Sequence, residues 1–596
     1  MSDGTMKQTD TLIAKVFRQG MVTLVLSEIL LRAGALATGI LVNRFIGMEF
    51  MAAFQLASPF ISFLIMGQVI FKDGLRNVCA RAIGAGLLEK ARKLYSTALF
   101  FVLVFFFIIV LMVWFGKSFL VAFLGATGSN AYLAPLLGDF LLAYSVGFLL
   151  NGYVVMNIVS IFLMGERKKI LFILAVQISV EVVCGGMNAL YFHQGLLGMG
   201  IANIIGNLSA ILVNFLLLRG KQSTLCFRRN LISFVVLREI VLSGLPSAFS
   251  QLLKTVKMFV LNKTILAVGT TAAVVAFADI NTLDNIFNPI IGGVGTCLLS
   301  MTCIFFGERD RFSLKQLLVF SFKDILRIQF IVAAVAFFAA PYLIQLFIPP
   351  AEVEVYDMAV GALRIYVLYL PLRGINQLIR DYYNGIGNVK MLYVVSALEN
   401  MVCICIMAIA MGHLFGIDGM WWAFLMSEVL VFLNIMAIIA VAFKKSPLKL
   451  DSYLCLPDGF GIADDKRYAA SATTMEEVVK ISGESQRFCK ENGASSYQAL
   501  IVALSIEEMG RNIIQWGIGK HHNLDIGIFL QDKDVWTLRI RDNTGSFDPV
   551  KWLALHQDDD RMKNIGIRTV CRLAKDIDYV SVMGMNNLTI KIGGSL

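Results

Sequence analysis

Between residues 21 and 443 the chain alternates long apolar runs with short polar connections. The runs fall at about 21–42, 51–71, 94–115, 131–161, 170–192, 196–218, 240–268, 271–299, 317–347, 355–379, 391–412 and 417–443. Two stretches, 98–115 and 331–347, carry no charged residue at all. A helix of ~20 apolar residues crosses ~30 Å of hydrocarbon, so the pattern predicts twelve transmembrane helices. After Lys449 the pattern changes. A polar linker with a short strand covers 451–472. Helix-like periodicity follows at 474–491, 496–518 and 558–575, and strand-like alternation at 524–531, 534–541, 578–584 and 587–592. The expected fold is a polytopic α-helical membrane protein followed by a C-terminal α/β sandwich. The expected divisions are an N-terminal segment (1–20), a first six-helix half (21–219), a connector (220–239), a second half (240–443), a linker (444–473) and a soluble domain (474–596).

The halves repeat. The block 54–84 lies on 277–307 without a gap, and each ends in a glycine followed by a charged amphipathic stretch, GAGLLEKARKL at Gly84 and GERDRFSLKQL at Gly307. GERKKILFILAVQ from Gly165 matches GNVKMLYVVSALE from Gly387, and GLLGMG from Gly195 matches GIDGMW from Gly416. Three ordered offsets that stay nearly constant argue for two homologous six-helix halves. Six is even, so both halves face the same way, related by an axis along the membrane normal, with a cavity between them.

Composition agrees. Hydrophobic residues make up 57% and charged residues 16%, against roughly 45–50% and 25% in soluble domains. The net charge of +10 does not point to nucleic acid, because the cations gather in alternate connections. These hold Arg76, Arg81, Lys90, Arg92 and Lys93; Arg167 to Lys169; Arg219, Lys221, Arg228 and Arg229; Arg309, Arg311 and Lys315; and Arg380 and Lys390. The opposite connections are bare or acidic. By the positive-inside rule both termini are expected in the cytoplasm and the protein in the cell membrane. The polar first ten residues are not expected to form a cleavable signal peptide. The ten cysteines sit mostly in apolar runs without metal-ligand spacing, so neither a disulfide nor a zinc site is expected.

The run ILVNRFIGMEFMAAFQLASP, the loop ARAIGAGLLEKAR and the paired elbows GERKKILF and GIGNVKMLY resemble the MATE (multidrug and toxic compound extrusion) family over about residues 12–443. The resemblance implies a secondary antiporter that alternates its cavity between two faces, driven by Na⁺ or H⁺. One feature departs from it. Many MATE transporters carry an aspartate late in the first span, where this chain reads Leu41-Val42-Asn43-Arg44, so the coupling ion stays open.

An ionisable residue inside a span is a functional candidate by default. Glu28 and Arg32 lie one turn apart in the first span, with Asn43 near the same stripe. Glu181 lies one turn from Gln177 in the fifth. Lys254 and Lys257 share a face of the seventh. Asn281, Asp284 and Asn288, with Asp279 nearby, form a polar stripe in the eighth, and Arg373 lies in the tenth. Displaced by 223, the stripe meets Ser58, Ile61 and Ile65, so the polar site is expected mainly in the second half. These residues are the expected transport cavity. Its carboxylates would exchange a cation for substrate, and its lysines leave an anionic or zwitterionic substrate open.

In the tail, SIEEMGRNIIQWG places Glu508 and Asn512 on one face of a helix. A carboxylate there can serve as general base and an amide oxygen as a Mg²⁺ ligand. The strand VWTLRIR runs into Asp542, which can accept from an exocyclic amine, and Gly545 lets the turn continue. Gly566 precedes a helix whose N–H groups can receive phosphate. In this order, closed by DYVSVMG and NNLTIKI, these pieces resemble the GHKL (histidine-kinase-like) ATPase domain over about 474–593, most closely its anti-sigma-factor serine-kinase branch. The resemblance implies Mg-ATP binding, with Glu508 as catalytic base, Asn512 on Mg²⁺, Asp542 on adenine, and Gly545 and Gly566 in the ATP site. It also implies a cytoplasmic regulator protein of the anti-anti-sigma type as partner. Thr544 and Asn564 stand where the family usually has glycine. His521 and His522 fall in a loop and are not expected to be phosphoacceptors.

The leading reading is therefore an ion-coupled efflux antiporter in the lipid bilayer, moving a small molecule, with a fused ATP-binding regulatory or kinase-like tail. A receptor signalling through the tail and a lipid-linked precursor flippase are the alternatives. No Walker-type loop is present to drive a pump.

Overall fold

The computed structural model describes residues 12–41, 45, 48–218, 225–269, 271–348, 353–462, 466–517, 523–532, 534–556 and 565–593. The membrane part consists of α1 (Leu12–Leu41), α2 (Met48–Gly84), α3 (Leu88–Phe123), α4 (Ala134–Leu163), α5 (Arg167–Met187), α6 (Gly195–Leu218), α7 (Phe234–Val268), α8 (Thr271–Gly307), α9 (Arg311–Gln345), α10 (Val353–Val367), α11 (Leu370–Ile386), α12 (Val389–Ala397) and α13 (Cys403–Val441). Among the described residues, nine helices are long and apolar enough to cross a membrane, and the pair α10–α11, bent by 45°, adds a tenth. Two further features account for the twelve expected segments. The helical stretch Val389–Val441 runs for 53 residues but breaks at Gly416 (φ 65°, ψ −147°), so it carries two of them. Helix α7 carries Lys254, Lys257 and Lys263 and so falls short of the apolar criterion while still covering 240–268. Rings that would be buried in a soluble protein, such as Phe115, Phe119 and Phe338, are exposed on outer helix faces, as lipid-facing residues are.

The repeat is carried in the backbone. Helices α2 and α8 are both 37 residues long, each holds an internal proline, and they end at Gly84 and Gly307. The turns after them take left-handed residues at Gly86 and Arg309. Gly165 and Gly387, then Gly195 and Gly416, are also left-handed, so each glycine pair marks a backbone corner that a side chain would strain. The halves meet through α1 against α8, and α2 against α7 and α8. A Cβ on Gly84 would overlap the carbonyl of Ile304, and one on Gly244 would overlap that of Ile70. Asn77 Nδ2 donates to Asn384 Oδ1 across the halves at 2.9 Å. These approaches lie toward the tail-facing ends of the helices and hold the two halves together there.

The tail is a two-layer α/β unit. Strands β1 (Arg467–Ala472), β2 (Leu524–Asp532), β3 (Val535–Asp542), β4 (Asp576–Val582) and β5 (Met585–Ile592) form one antiparallel sheet in the order β1-β2-β3-β5-β4. Helices α14 (Met475–Glu491), α15 (Ser496–Trp516) and α17 (Ile565–Leu573) cover one face, and α16 (Pro549–Leu555) lies beside α17. Capping boxes at Thr474 with Glu477 and at Ser495 with Gln498 start α14 and α15. Along β3, Trp536, Leu538 and Ile540 join the core with Val478, Ile506 and Val570. Strand β1 is the short strand expected within the linker.

The other face of the sheet, which alternation alone assigns to solvent, is buried against the membrane part. Asp310, in the turn between α8 and α9, is buried among three tail arginines. Its carboxylate meets Arg467 Nη1 at 2.6 Å, Arg541 Nη2 at 2.9 Å and Arg539 Nη1 at 3.0 Å. Arg541 also pairs with Glu308, and Asn587 Nδ2 donates to Glu308 Oε1 at 2.8 Å. Burial alone would push the Asp310 carboxyl up, but the three guanidiniums and Ser313 hold it well below the usual carboxylate range. The tail also reaches the first half. Met583 N donates to Leu163 O at 2.8 Å, Arg167 Nη2 donates to Met583 O at 2.6 Å, and Lys15 Nζ donates to Asn523 Oδ1 at 3.0 Å. One small sheet thus bridges both halves.

Candidate functional sites

A cavity of about 540 Å³ lies between the halves. Glu28, Arg32, Lys254, Lys257, Asn281, Asp284, Asn288 and Arg373 all line it. Glu28 and Arg32 form no ion pair with each other within 4 Å, so the one-turn spacing does not join them. Asp284 accepts from Tyr369 Oη at 2.9 Å and from Asn288 Nδ2. Two candidates lie elsewhere. Glu181 accepts from Asn203 Nδ2 at 3.0 Å inside the first half. Asp279 is not in the cavity lining, and its buried Oδ2 has no hydrogen-bond partner. Asn43 lies outside the described residues.

The cavity floor holds groups that the hydrophobic pattern did not single out. Arg373 Nη1 meets Glu428 Oε1 at 3.0 Å and Glu399 Oε1 at 3.7 Å. Arg380 Nη1 meets Glu399 Oε2 at 2.9 Å, and its Nη2 meets Asp381 at 3.2 Å. Asn376 Nδ2 donates to Glu428 Oε2 at 2.8 Å. Arg76 and Arg380, which the sequence pattern assigned to cytoplasmic connections, are instead buried in α2 and α11 and face this cavity. Helices α2 and α11 run past the apolar segments, so counting cations between runs misplaced both.

The repeat offsets superimpose this cluster on a neutral one. Displaced by 222, Asn151 and Gln177 fall on Arg373 and Glu399; displaced by 221, Asn207 falls on Glu428. In the first half Asn151 Nδ2 donates to Asn207 Oδ1 at 2.8 Å, and Gln177 Nε2 donates to the same oxygen at 3.1 Å. Both halves therefore build the same three-residue node, from amides in the first and from ions in the second. The offsets of the glycine corners were the available signal for Glu399 and Glu428.

The tail has its own pocket, about 490 Å³, between the helical layer and the end of β3. Asn512, Asp542 and Gly545 line it, with Phe547, Trp552, Ile567, Tyr579 and Asn586. Asp542 Oδ1 accepts from Asn586 Nδ2 and from Thr544 N, both at 2.8 Å, and from Thr544 Oγ1 at 2.5 Å. Thr544 therefore orients the carboxylate rather than obstructing it. Glu508 and Gly566 do not line the pocket. They pack on each other, since a Cβ on Gly566 would overlap the Glu508 carboxylate, and Arg511 lies 3.7 Å from Glu508. Asn564, His521 and His522 lie outside the described residues. Among the described residues no cluster of His, Cys, Asp or Glu could hold a metal ion.

The MatE family model matches residues 24–185 and again residues 246–409, one match in each half. No curated protein matches the chain in sequence. Among solved structures, an outward-facing MATE-family multidrug resistance transporter of the MOP superfamily aligns with TM-score 0.66 at 20% identity, over 74% of this chain and 99% of its own. A Vibrio cholerae MATE transporter aligns with TM-score 0.67 at 19% identity, over 73% and 98%. A MOP-superfamily transporter from Pyrococcus furiosus, described as having a binding pocket of reverse polarity, aligns with TM-score 0.63 at 20% identity, over 75% and 100%. At these identities the likeness is one of fold. The family matches carry the assignment: with a match in each of its six-helix halves, the chain belongs to the MatE family of transporters.

Proposed function

We propose that the chain is a MATE-type antiporter that exchanges Na⁺ or H⁺ for a small molecule, with a cytoplasmic tail that binds Mg-ATP and regulates it. The observation that supports exchange is Asp284. It faces the cavity between the two halves, hydrogen-bonded to Tyr369 and Asn288 but, among the described residues, in no ion pair within 4 Å. A carboxylate so placed can hold a proton or a cation and release it when the cavity changes sides. The tail pocket supports nucleotide binding at its base end. Asp542 offers an acceptor for an exocyclic amine, and Phe547 and Trp552 provide ring faces. Asn512 would face Mg²⁺ and phosphate; Glu508, packed against Gly566, must move to act as a base. The bridging of both halves by the tail sheet supports regulation rather than a free-standing kinase.

The test is substrate efflux from proteoliposomes against an imposed proton or sodium gradient. Asp284→Asn should abolish gradient-coupled flux while leaving folding intact. Flux that Asp284→Asn leaves untouched would remove this residue from the mechanism. A protein that moves no substrate under either gradient, but whose tail responds to ligands added from outside, would be a receptor.

A further inference from the structure

We propose that the cavity is built for an organic anion with an aromatic or apolar body, and that Lys254 and Lys257 are its charge-recognising residues. The inference rests on the transport reading above and names its substrate class.

Charged groups crowd the cavity wall. The acids Asp73, Asp381, Glu399 and Glu428 are each paired: Asp73 with Arg76 at 3.2 Å, Asp381 and Glu399 with Arg380, and Glu428 with Arg373. Those pairs also use up Arg76, Arg373 and Arg380. Lys254 and Lys257, one turn apart on α7, form neither an ion pair nor a hydrogen bond among the described residues. Lys72 on α2 and Arg32 on α1 form no ion pair among the described residues either. Across the whole lining seven cations meet six acids, and of the acids Asp284 is occupied by Tyr369 and Asn288. The excess is one positive charge, and the adjacent cations left without an ion pair are Lys254 and Lys257.

Depth rules out the ordinary use of a membrane lysine. Lys254 stands 14 residues from the end of α7 at Val268, about 21 Å of helix. A four-carbon stem cannot carry its ammonium to the interface from there. An unpaired ammonium at such depth is costly unless water or an anion meets it. The sequence places two together, which increases that cost when the cavity is empty and favours a bound anion.

The remaining wall sets the body of the ligand. Tyr366, Tyr369 and Phe424 form one aromatic cluster with ring centroids 4.5, 5.0 and 6.2 Å apart, and all three line the cavity, as does Ile404. A carboxylate or sulfonate held at the lysines would lay an aromatic or apolar body against these rings. The volume suits one small molecule. Asp284 lines the same cavity, bonded to Tyr369 of the aromatic cluster, and its negative charge disfavours the same anion. An anion and a cation-free Asp284 therefore disfavour each other, and loading Asp284 with H⁺ or Na⁺ favours the bound anion.

The experiment is counterflow in proteoliposomes of the full chain, which needs no chosen driving ion. Labelled p-aminohippurate, an aromatic carboxylate, is compared with labelled tetraethylammonium, each against its own unlabelled pool. Wild type should exchange p-aminohippurate and not tetraethylammonium. The double variant K254Q/K257Q should lose that exchange at least about tenfold, as the removal of charge-assisted contacts requires. K254R/K257R should keep it, which separates loss of charge from loss of fold. Exchange of tetraethylammonium without p-aminohippurate would overturn the substrate class while leaving the transport reading intact. Anion exchange indifferent to K254Q/K257Q would remove the lysines from it. No exchange of either compound would defeat the transport reading and this proposal with it.

Discussion

The buried carboxylate of Asp310 offers the most quantitative prediction. Asp310→Asn keeps an oxygen that can accept from Ser313 N, the 3.1 Å bond that caps α9, but removes the charge. Arg467, Arg539 and Arg541 then face one another with Glu308 and the nearby Asp525 left to answer them. Breaking a buried ion pair by removing one partner costs about 3–5 kcal/mol, because the charge left behind is uncompensated. That corresponds to a loss of roughly two to three and a half orders of magnitude in the docking equilibrium. The readout is hydrogen exchange in the detergent-solubilised full chain. The amide of Met583, which is bonded to Leu163 O, should lose protection, whereas the amides of α9 should not. Arg541→Ala should show the same loss, and the two together less than the sum, since they share one network. The sign with pH follows from the depressed Asp310 carboxyl. Its contribution is fully present above the ordinary carboxylate range near ~4 and is lost as pH falls through the lower value of the docked state. Unchanged Met583 protection in Asp310→Asn at neutral pH would refute the reasoning, because the arginines would then be satisfied some other way.

Other outcomes follow from single contacts. Gly84→Ala should pry α2 from Ile304 of α8 and loosen that contact, seen as faster labelling of the neighbouring buried Cys303. Asp542→Asn in the full chain should weaken binding of a fluorescent ATP analogue at least about tenfold, because an amide presents a donor toward the base amine; unchanged affinity would place the nucleotide elsewhere. A cysteine at exposed Glu491 should react with impermeant reagents only from the cytoplasmic side, and labelling from outside intact cells would invert the orientation.

Much of this architecture is legible in the residues. All twelve apolar segments lie on helix, and the glycine pairs 84/307, 165/387 and 195/416 mark equivalent ends or corners. The strands at 524–531 and 534–541 are found within a residue or two. What hydrophobic pattern could not separate was destination. In VWTLRIR the alternation locates both faces of β3, but arginines facing water and arginines facing Asp310 look identical along the chain. Likewise Arg76 and Arg380 read as loop cations because each helix runs past its apolar segment into the cavity wall. Glu399 and Glu428 stand singly in apolar runs and become a node only when the fold brings Arg373 between them.

The placement of Arg541 and Asp542 on successive residues of β3 has a mechanical consequence. Adjacent strand residues point to opposite faces, so one side chain grips the α8–α9 turn while its neighbour lines the tail pocket. No hinge lies between the two. A ligand that shifts this end of β3 acts directly on the grip, and that grip belongs to the second half while Met583 holds the first. Rotation of one half against the other must therefore break one attachment or bend the sheet. Linkage makes the influence mutual: whatever factor occupancy of the tail applies to the rotation of the halves, the rotation returns to the affinity of the tail.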